Sequence, residues 1–314
     1  MVVCVPATGA ACSPGDIAWV LAATALVMFM TPGLGFFYGG LVRRKNLVST
    51  IVQCMAIFAV VSLAWALWGY TMAFGPSVLD GFIGNFQFFA LNGVGTAANT
   101  AYSSSIPALL YFAFQLKFAA ITPALIIGAF AGRIRLKPLL IFILAWVTFI
   151  YFPVAHWIWK GKPSSVGMCV GFVCGLAAVT PAAGYVGPDL SLVIGVVAGV
   201  ACNFVVRWRA RTKLDDSLDV FACHGVGGMW GTVATGLFAS AAISGQNGLV
   251  YGNPHFALLQ MFAVAVVASF AFFGTYVILH IINFFSPLRA SPEEQTAGLD
   301  EVHFGEEAYY PTSE

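Results

Sequence analysis

The sequence predicts an all-α polytopic membrane fold, and three observations carry that prediction. Hydrophobic residues make up 60% of the 314 and charged residues only 9%, against about 25% charged in ordinary soluble domains. The apolar residues gather in long runs near the ~20 residues needed to cross ~30 Å of hydrocarbon. Those runs are nearly continuous; the strands of a membrane barrel would be half as long and would alternate.

Eight such runs follow in order: 17–42, 48–74, 106–131, 139–159, 164–183, 190–206, 220–240 and 256–285. Apart from Lys117 they contain no side chain charged at neutral pH. The fifth and sixth are short and rich in Gly and Ala, a composition that suits close helix packing over lipid exposure. Residues 1–16 lack the basic start of a secretory signal and read as a short exposed terminus. Residues 286–314 form a polar tail. A formal net charge of +1, with the charges in small clusters between apolar runs, excludes a polyanion partner and with it nucleic-acid binding.

Seven cysteines are too few for a disulfide framework in a chain of this length. Cys54, Cys169, Cys174, Cys202 and Cys223 lie in or beside apolar runs and read as small buried residues. Cys4 and Cys12 precede the first run and can pair where that end faces an oxidising compartment. No nucleophile–base pair, metal-ligand spacing or phosphate-binding loop is present, so the chain does not read as an enzyme and calls for no cofactor.

Loop charges give the orientation. Arg43, Arg44 and Lys45 follow the first run, Arg133, Arg135 and Lys137 follow the third, and the 75–105 loop between the second and third has no Lys or Arg. By the positive-inside rule the N-terminus is outside. Four crossings later the chain is outside again, yet Lys160 and Lys162 stand there, at the start of the fifth run. Arg207, Arg209, Arg211 and Lys213 then follow the sixth run, and Arg289 heads the tail. The second half is regular only if the fifth run starts inside. The halves therefore differ in phase by one crossing: either one run does not span, or an odd number of crossings is absent at the 160–163 junction.

Several strings appear in order: MTPGLGFFYGGLVRRKN from Met30, FQLKFAAITPALIIGAFAGRIR from Phe114, YFPVAHWIW from Tyr151, TPAAGYVGP from Thr180, and DDSLDVFACHGVGGMWGTVATGLFA from Asp215. Together with GLDEVHFGEEAYYP in the tail, they closely resemble the ammonium transporter family, Amt/Mep/Rh, on its Amt branch. The resemblance implies an ammonium-transporter-like helical bundle in which this chain has about eight transmembrane helices instead of eleven, the equivalents of helices five to seven being absent. Three is an odd number, in agreement with the phase difference. The implied organisation is an extracellular terminus over 1–16, helices one to four over 17–159, the junction at 160–163, equivalents of helices eight to eleven over 164–285, and a cytosolic tail over 286–314.

The resemblance also implies a function and its residues. Ammonium matches potassium in size and charge but can donate hydrogen bonds and lose its proton. An aromatic vestibule can hold the cation at about 0.5–2 kcal/mol per ring contact, and a narrow apolar pore with imidazoles can pass ammonia while rejecting ions. The family's gate phenylalanines fall on Phe114 and Phe118, one helical turn apart; by spacing alone these would be two core aromatics. The vestibule tryptophan falls on Trp159, at the junction, where Lys160-Gly161-Lys162-Pro163 replace the family's Gly run. His224 matches the second of the family's paired pore histidines, its first partner having no match; a lone His in an apolar helix is otherwise a core residue, and Gly225, Gly227 and Gly228 beside it favour close backbone approach. His156 is assigned an interfacial structural role. Asp215, Asp216 and Asp219 precede a helix, where carboxylates suit its N-terminus; the resemblance adds that Asp219 anchors the cytosolic side. Lys117 is expected to point away from the gate. Implied partners are ammonium or ammonia, two further copies in a homotrimer, and a PII-type signalling protein on the cytosolic face of the cell membrane. The alternative implied by the missing helices is a non-transporting relative that acts as a membrane ammonium sensor or mixed-trimer subunit.

Overall fold

The computed structural model describes residues 12–79, 81–160, 180–182, 184–212, 214, 216, 217 and 219–306. The chain divides into two compact units, one of Met1–Ile127, Ala131–Pro163 and Thr275–Glu314, the other of Gly128–Phe130 and Ser164–Gly274.

The first unit opens with α1, Pro14–Leu41, capped by the Ser13 side chain, which accepts the Asp16 amide hydrogen at 3.2 Å. Its 28 residues reach about 42 Å. Only Thr31, Gly35, Tyr38 and Gly39 are buried, so α1 packs on α2 along a narrow stripe and leaves its bulk for lipid. After a 3₁₀ turn at Arg44–Asn46, α2 (Leu47–Ala64) runs through a π turn at Trp65–Gly69 into α3 (Tyr70–Phe74). The loop that carries no basic residue holds two small antiparallel hairpins, β1 (Ser77–Val78) with β2 (Ile83–Gly84) and β3 (Ala98–Asn99) with β4 (Ser103–Pro107). α4 covers Ala108–Phe130; α5 (Leu136–Trp146) passes through a second π turn, Val147–Tyr151, into α6 (Phe152–Lys160).

The second unit contains a 3₁₀ turn at Thr180–Ala182, α7 (Pro188–Arg209), a third π turn at Phe221–Val226 continuing as α8 (Gly227–Phe238), the short α9 (Ala241–Ser244), and most of α10 (Pro254–Phe285). Its core is small-residue packing: Ala182, Tyr185, Val186, Ile194, Ala198, Ala234 and Ala239, with Trp230 and Phe256 closing over them. The Trp230 indole donates to the Ile194 carbonyl at 3.1 Å, which ties α8 to α7. The last turns of α10 belong to the first unit, where the Trp146 indole donates to the Thr275 hydroxyl at 2.9 Å.

The tail folds back as α11 (Pro292–Ala297) and α12 (Leu299–Phe304). Ser291 and Glu294 form a reciprocal capping box, and Glu294 also receives a double hydrogen bond from Arg135 at 3.0 and 2.8 Å. Lys45 donates to the Thr296 carbonyl, and Asn46 accepts the Leu299 amide hydrogen at 2.9 Å.

Among the described residues six helices are long and apolar enough to cross a membrane, two fewer than the eight expected. One expected run, 164–183, lies outside the described residues except for 180–182. The other, 220–240, is helical over Phe221–Phe238, but His224 and its glycines dilute its apolar character below that of the other six.

Candidate functional site

On α4, Phe114 and Phe118 are buried, 5% and 3% exposed. Their rings meet edge to face, centroids 5.0 Å apart at 77°, the geometry that ring quadrupoles prefer. One helical turn apart, the two side chains share a face of α4. Lys117, between them, turns to another face, its ammonium 5.4 Å from the ring centre of Phe58 on α2. The expected direction, away from the phenylalanine pair, is thus accompanied by a specific cation–π partner.

Around the N-terminal end of α4 lies an aromatic cluster that sequence reading missed. Tyr70 meets Phe112 edge to face at 5.3 Å, Phe74 meets Tyr111 at 5.2 Å and Tyr102 at 4.9 Å, and Trp65 lies 5.6 Å from Phe152. The Tyr102 hydroxyl donates to the Phe74 carbonyl at 2.6 Å, pinning the loop to the end of α3. Tyr70 and Phe88 line a cavity of about 220 Å³ whose walls include Val94, Asn99 and Ala108. The buried Tyr70 hydroxyl has no hydrogen-bond partner among the described residues.

The first two π turns face one another. Trp68 donates to the Thr148 hydroxyl at 3.1 Å, and Gly69 lies against the Phe152 ring so closely that a Cβ there would be 2.4 Å from Cζ. Such turns in α-helices frequently mark functional sites. The third one holds His224.

His156, assigned an interfacial structural role from the sequence, is fully buried, with Nδ1 2.9 Å from the Ala73 carbonyl and Nε2 3.1 Å from the Ser77 hydroxyl. The carbonyl at the end of α3 has no helical partner, and the imidazole supplies one, so its burial is compensated. Three residues on, Trp159 occupies the last turn of α6; its side chain lies outside the described set.

In the second unit, half-buried His224 lies in the Phe221–Val226 π turn. Gly225 lies under its own neighbour, a Cβ there falling 2.9 Å from the Phe221 ring, whereas a Cβ on Gly228 would meet nothing within 4 Å among the described residues. Close approach among the described residues therefore explains Gly225 and does not explain Gly228. Of the three aspartates before this helix, Asp216 is the cap: its two carboxylate oxygens accept the amide hydrogens of Val220 at 3.0 Å and Phe221 at 2.9 Å. Asp219 instead adopts a left-handed backbone (φ 54°) and forms an ion pair with Arg209 at the end of α7. Asp215 lies outside the described residues. The distinction was not legible because three carboxylates in five residues all satisfy the N-terminal rule.

The structure thus brings Phe114 and Phe118 together in the first unit, which also contains Trp159, and puts His224 and Asp219 in the second. Cys12 is disulfide-bonded, and Cys54 is a buried free thiol. Among the described residues no group of three or more His, Cys, Asp or Glu side chains is placed to hold a metal ion.

A family model described as the Ammonium Transporter Family matches residues 18–161 and 160–309, two segments that meet at Lys160-Gly161. The ammonium transporter of Bacillus subtilis is 32% identical over an alignment of 400 residues covering 94% of this chain and 98% of the relative. Ammonium transporter Amt1 of Archaeoglobus fulgidus is 30% identical, covering 95% and 100%. Both alignments are longer than the 314-residue chain itself. Among solved structures, Saccharomyces cerevisiae Mep2 superposes with a TM-score of 0.79 at 25% identity, covering 90% of this chain and 88% of Mep2. A structure titled Sensor Amt Protein shares the fold with a TM-score of 0.75 at 19% identity, covering 91% and 97%.

Proposed function

The chain belongs to the ammonium transporter family, and from that premise we propose that it moves ammonium, as the ion or as ammonia after loss of a proton, through a pore whose gate is Phe114 and Phe118 and whose histidine is His224. The observation that carries this reading is the buried, perpendicular phenylalanine pair, with the one intervening cation turned onto Phe58. A gate of apolar ring edges opposes a hydrated ion, and a proton-accepting imidazole favours a permeant that can shed a proton. In this scheme Trp159 holds the arriving cation over its ring, and Asp219, through Arg209, anchors the cytosolic end of the helix that bears His224.

The same reading takes 17–159 and 164–285 as two membrane halves joined at 160–163, with residues 1–16 outside and the tail in the cytosol of a cell whose plasma membrane holds the protein. The disulfide at Cys12 supports an outward N-terminus, and the basic residues after α1 and α4 support an inward face for those loops. Assembly as a homotrimer, with a PII-type signalling protein at the cytosolic face, completes the proposal.

A second reading is favoured by one observation, the division of the family match at Lys160-Gly161. On the resemblance, the equivalents of helices five to seven, which would supply the first of the paired pore histidines, are absent at that junction. On this reading the chain is a non-transporting relative, a membrane ammonium sensor or a subunit of mixed trimers. Uptake of methylammonium by vesicles reconstituted with the full chain separates the two. Transport predicts uptake above protein-free vesicles that Phe118→Ala and His224→Ala change at least about tenfold, the scale of a lost 1.4 kcal/mol contact; background uptake by the parent favours the second reading.

A further inference from the structure

Near the middle of α4 stands a cation that the chain does not neutralise. Lys117 comes nine residues after Ala108 in a 23-residue span, about 14 Å along it, so its Cα lies near the centre of the hydrocarbon layer. None of the eight apolar runs contains an Asp or Glu. Neither ion pair among the described residues, Arg135–Glu294 or Arg209–Asp219, includes Lys117. The half-buried ammonium is held instead by the Phe58 ring, 5.4 Å away. A ring face attracts a cation without cancelling its charge. The side chain is therefore a fixed positive charge inside the span, and an ionisable residue at that depth is costly and commonly marks an ion path.

Its position relative to the phenylalanine pair gives that charge a target. Lys117 follows Phe114 by three residues and precedes Phe118 by one, which puts its Cα about 60° and about 100° around the α4 axis from theirs. With its ammonium turned onto Phe58, it stands beside the pair and does not lie across the rings. It acts on them over the width of one helix, about 10 Å. At an effective dielectric of about 20, two unit charges about 10 Å apart repel enough to lower a cation's occupancy about tenfold. A neutral molecule at the rings experiences no such repulsion.

We infer that Lys117 is a specificity-determining residue whose charge keeps cations out of the Phe114–Phe118 gate, so that ammonium leaves its proton on the side it comes from, crosses as ammonia, and takes up a proton on the other side. The inference rests on the transport reading and on Phe114 and Phe118 as its gate. The full chain is reconstituted in vesicles loaded with a pH-sensitive dye, and an ammonium chloride pulse is followed by two readouts, internal alkalinisation and the current on a solid-supported membrane. The parent is expected to alkalinise the interior faster than protein-free vesicles while carrying little current. Lys117→Met should raise the ratio of charge moved to ammonia delivered at least about tenfold, and Lys117→Arg should keep the parent's ratio. A lysine that only clamped α4 to α2 would change the size of both signals and leave their ratio alone. Where Lys117→Met does not insert, Lys117→Gln takes its place. Transport by the parent with the same ratio in the uncharged variant overturns the role of Lys117 and leaves the transport reading standing. Absence of both signals in the parent overturns the transport reading, and this inference with it.

Discussion

Asp300 in the tail caps α2 through Ser49: its Oδ1 accepts the Ser49 amide hydrogen at 2.6 Å while Oδ2 accepts that of Val48 at 3.0 Å, in a site where the aspartate is 1% exposed. The first amides of α2 have no partner within the helix, and a carboxylate there also faces the positive end of the helix dipole. A residue some 250 positions away in sequence thus completes the start of a membrane span.

The first prediction follows directly. Asp300→Ala leaves the buried Ser49 amide and the part-buried Val48 amide without this acceptor and is expected to destabilise the docked tail by about 2–4 kcal/mol, the scale for losing a charged hydrogen-bond partner. Limited proteolysis should then cut the tail near Gly298 faster than in the parent, with Asp300→Asn intermediate. Equal cutting rates in all three would refute the cap.

The capping box carries a pH dependence. The Arg135 side chain, first, and the Ser291 backbone hold the Glu294 carboxyl below its ordinary range. A depressed folded-state value means that the stabilisation is complete above the ordinary carboxylate range and is lost as pH falls through the lower, folded value. Protease sensitivity of the tail is therefore expected to rise on acidification below the ordinary Glu range, and Glu294→Gln should flatten that part of the profile.

Gly69→Ala puts a methyl group into the Phe152 ring and is expected to cost about 1–3 kcal/mol in thermal unfolding in detergent, the usual scale of overpacking. Phe152→Leu in the same chain should recover part of the loss, because the two residues are in contact and their effects couple. Simple additivity would show that the ring is not what Gly69 accommodates.

Two tyrosines of one cluster should respond oppositely. Tyr102→Phe removes the hydrogen bond to the Phe74 carbonyl and is expected to cost about 1 kcal/mol. Tyr70→Phe removes a buried hydroxyl that has no partner among the described residues and should leave the melting temperature unchanged or higher. A lower melting temperature for Tyr70→Phe would reveal a bonding role for that hydroxyl.

Much of the architecture was legible because lipid imposes it. Long, almost uncharged runs located the spans Pro14–Leu41, Arg44–Phe74, Ala108–Phe130, Leu136–His156 and Pro254–Phe285 to within a few residues, since apolar length is the property the bilayer selects. The spacing of Phe114 and Phe118 correctly put both on one helical face. What escaped was set by tertiary partners. His156 lies in an apolar run like any lipid-facing or interfacial residue, and only the Ala73 carbonyl and Ser77 decide that it is buried. Asp216 and Asp219 differ by three positions and by which neighbour each finds. The tail was partly readable: Ser291-Pro292-Glu293-Glu294 is a capping-box pattern, although nothing local announces that Asp300 serves a distant helix.

The three π turns make residue count, as well as residue kind, part of what this chain encodes. Each accommodates one residue more than an α-helix of the same rise, and one residue is about 100° of rotation. Deleting a single residue within Trp65–Gly69, Val147–Tyr151 or Phe221–Val226 would preserve composition and hydropathy, yet swing every side chain beyond it to a different azimuth. His156 and His224 therefore owe their headings to an insertion written into the helix at or before them, so indels at these turns should be far less tolerated than conservative substitutions.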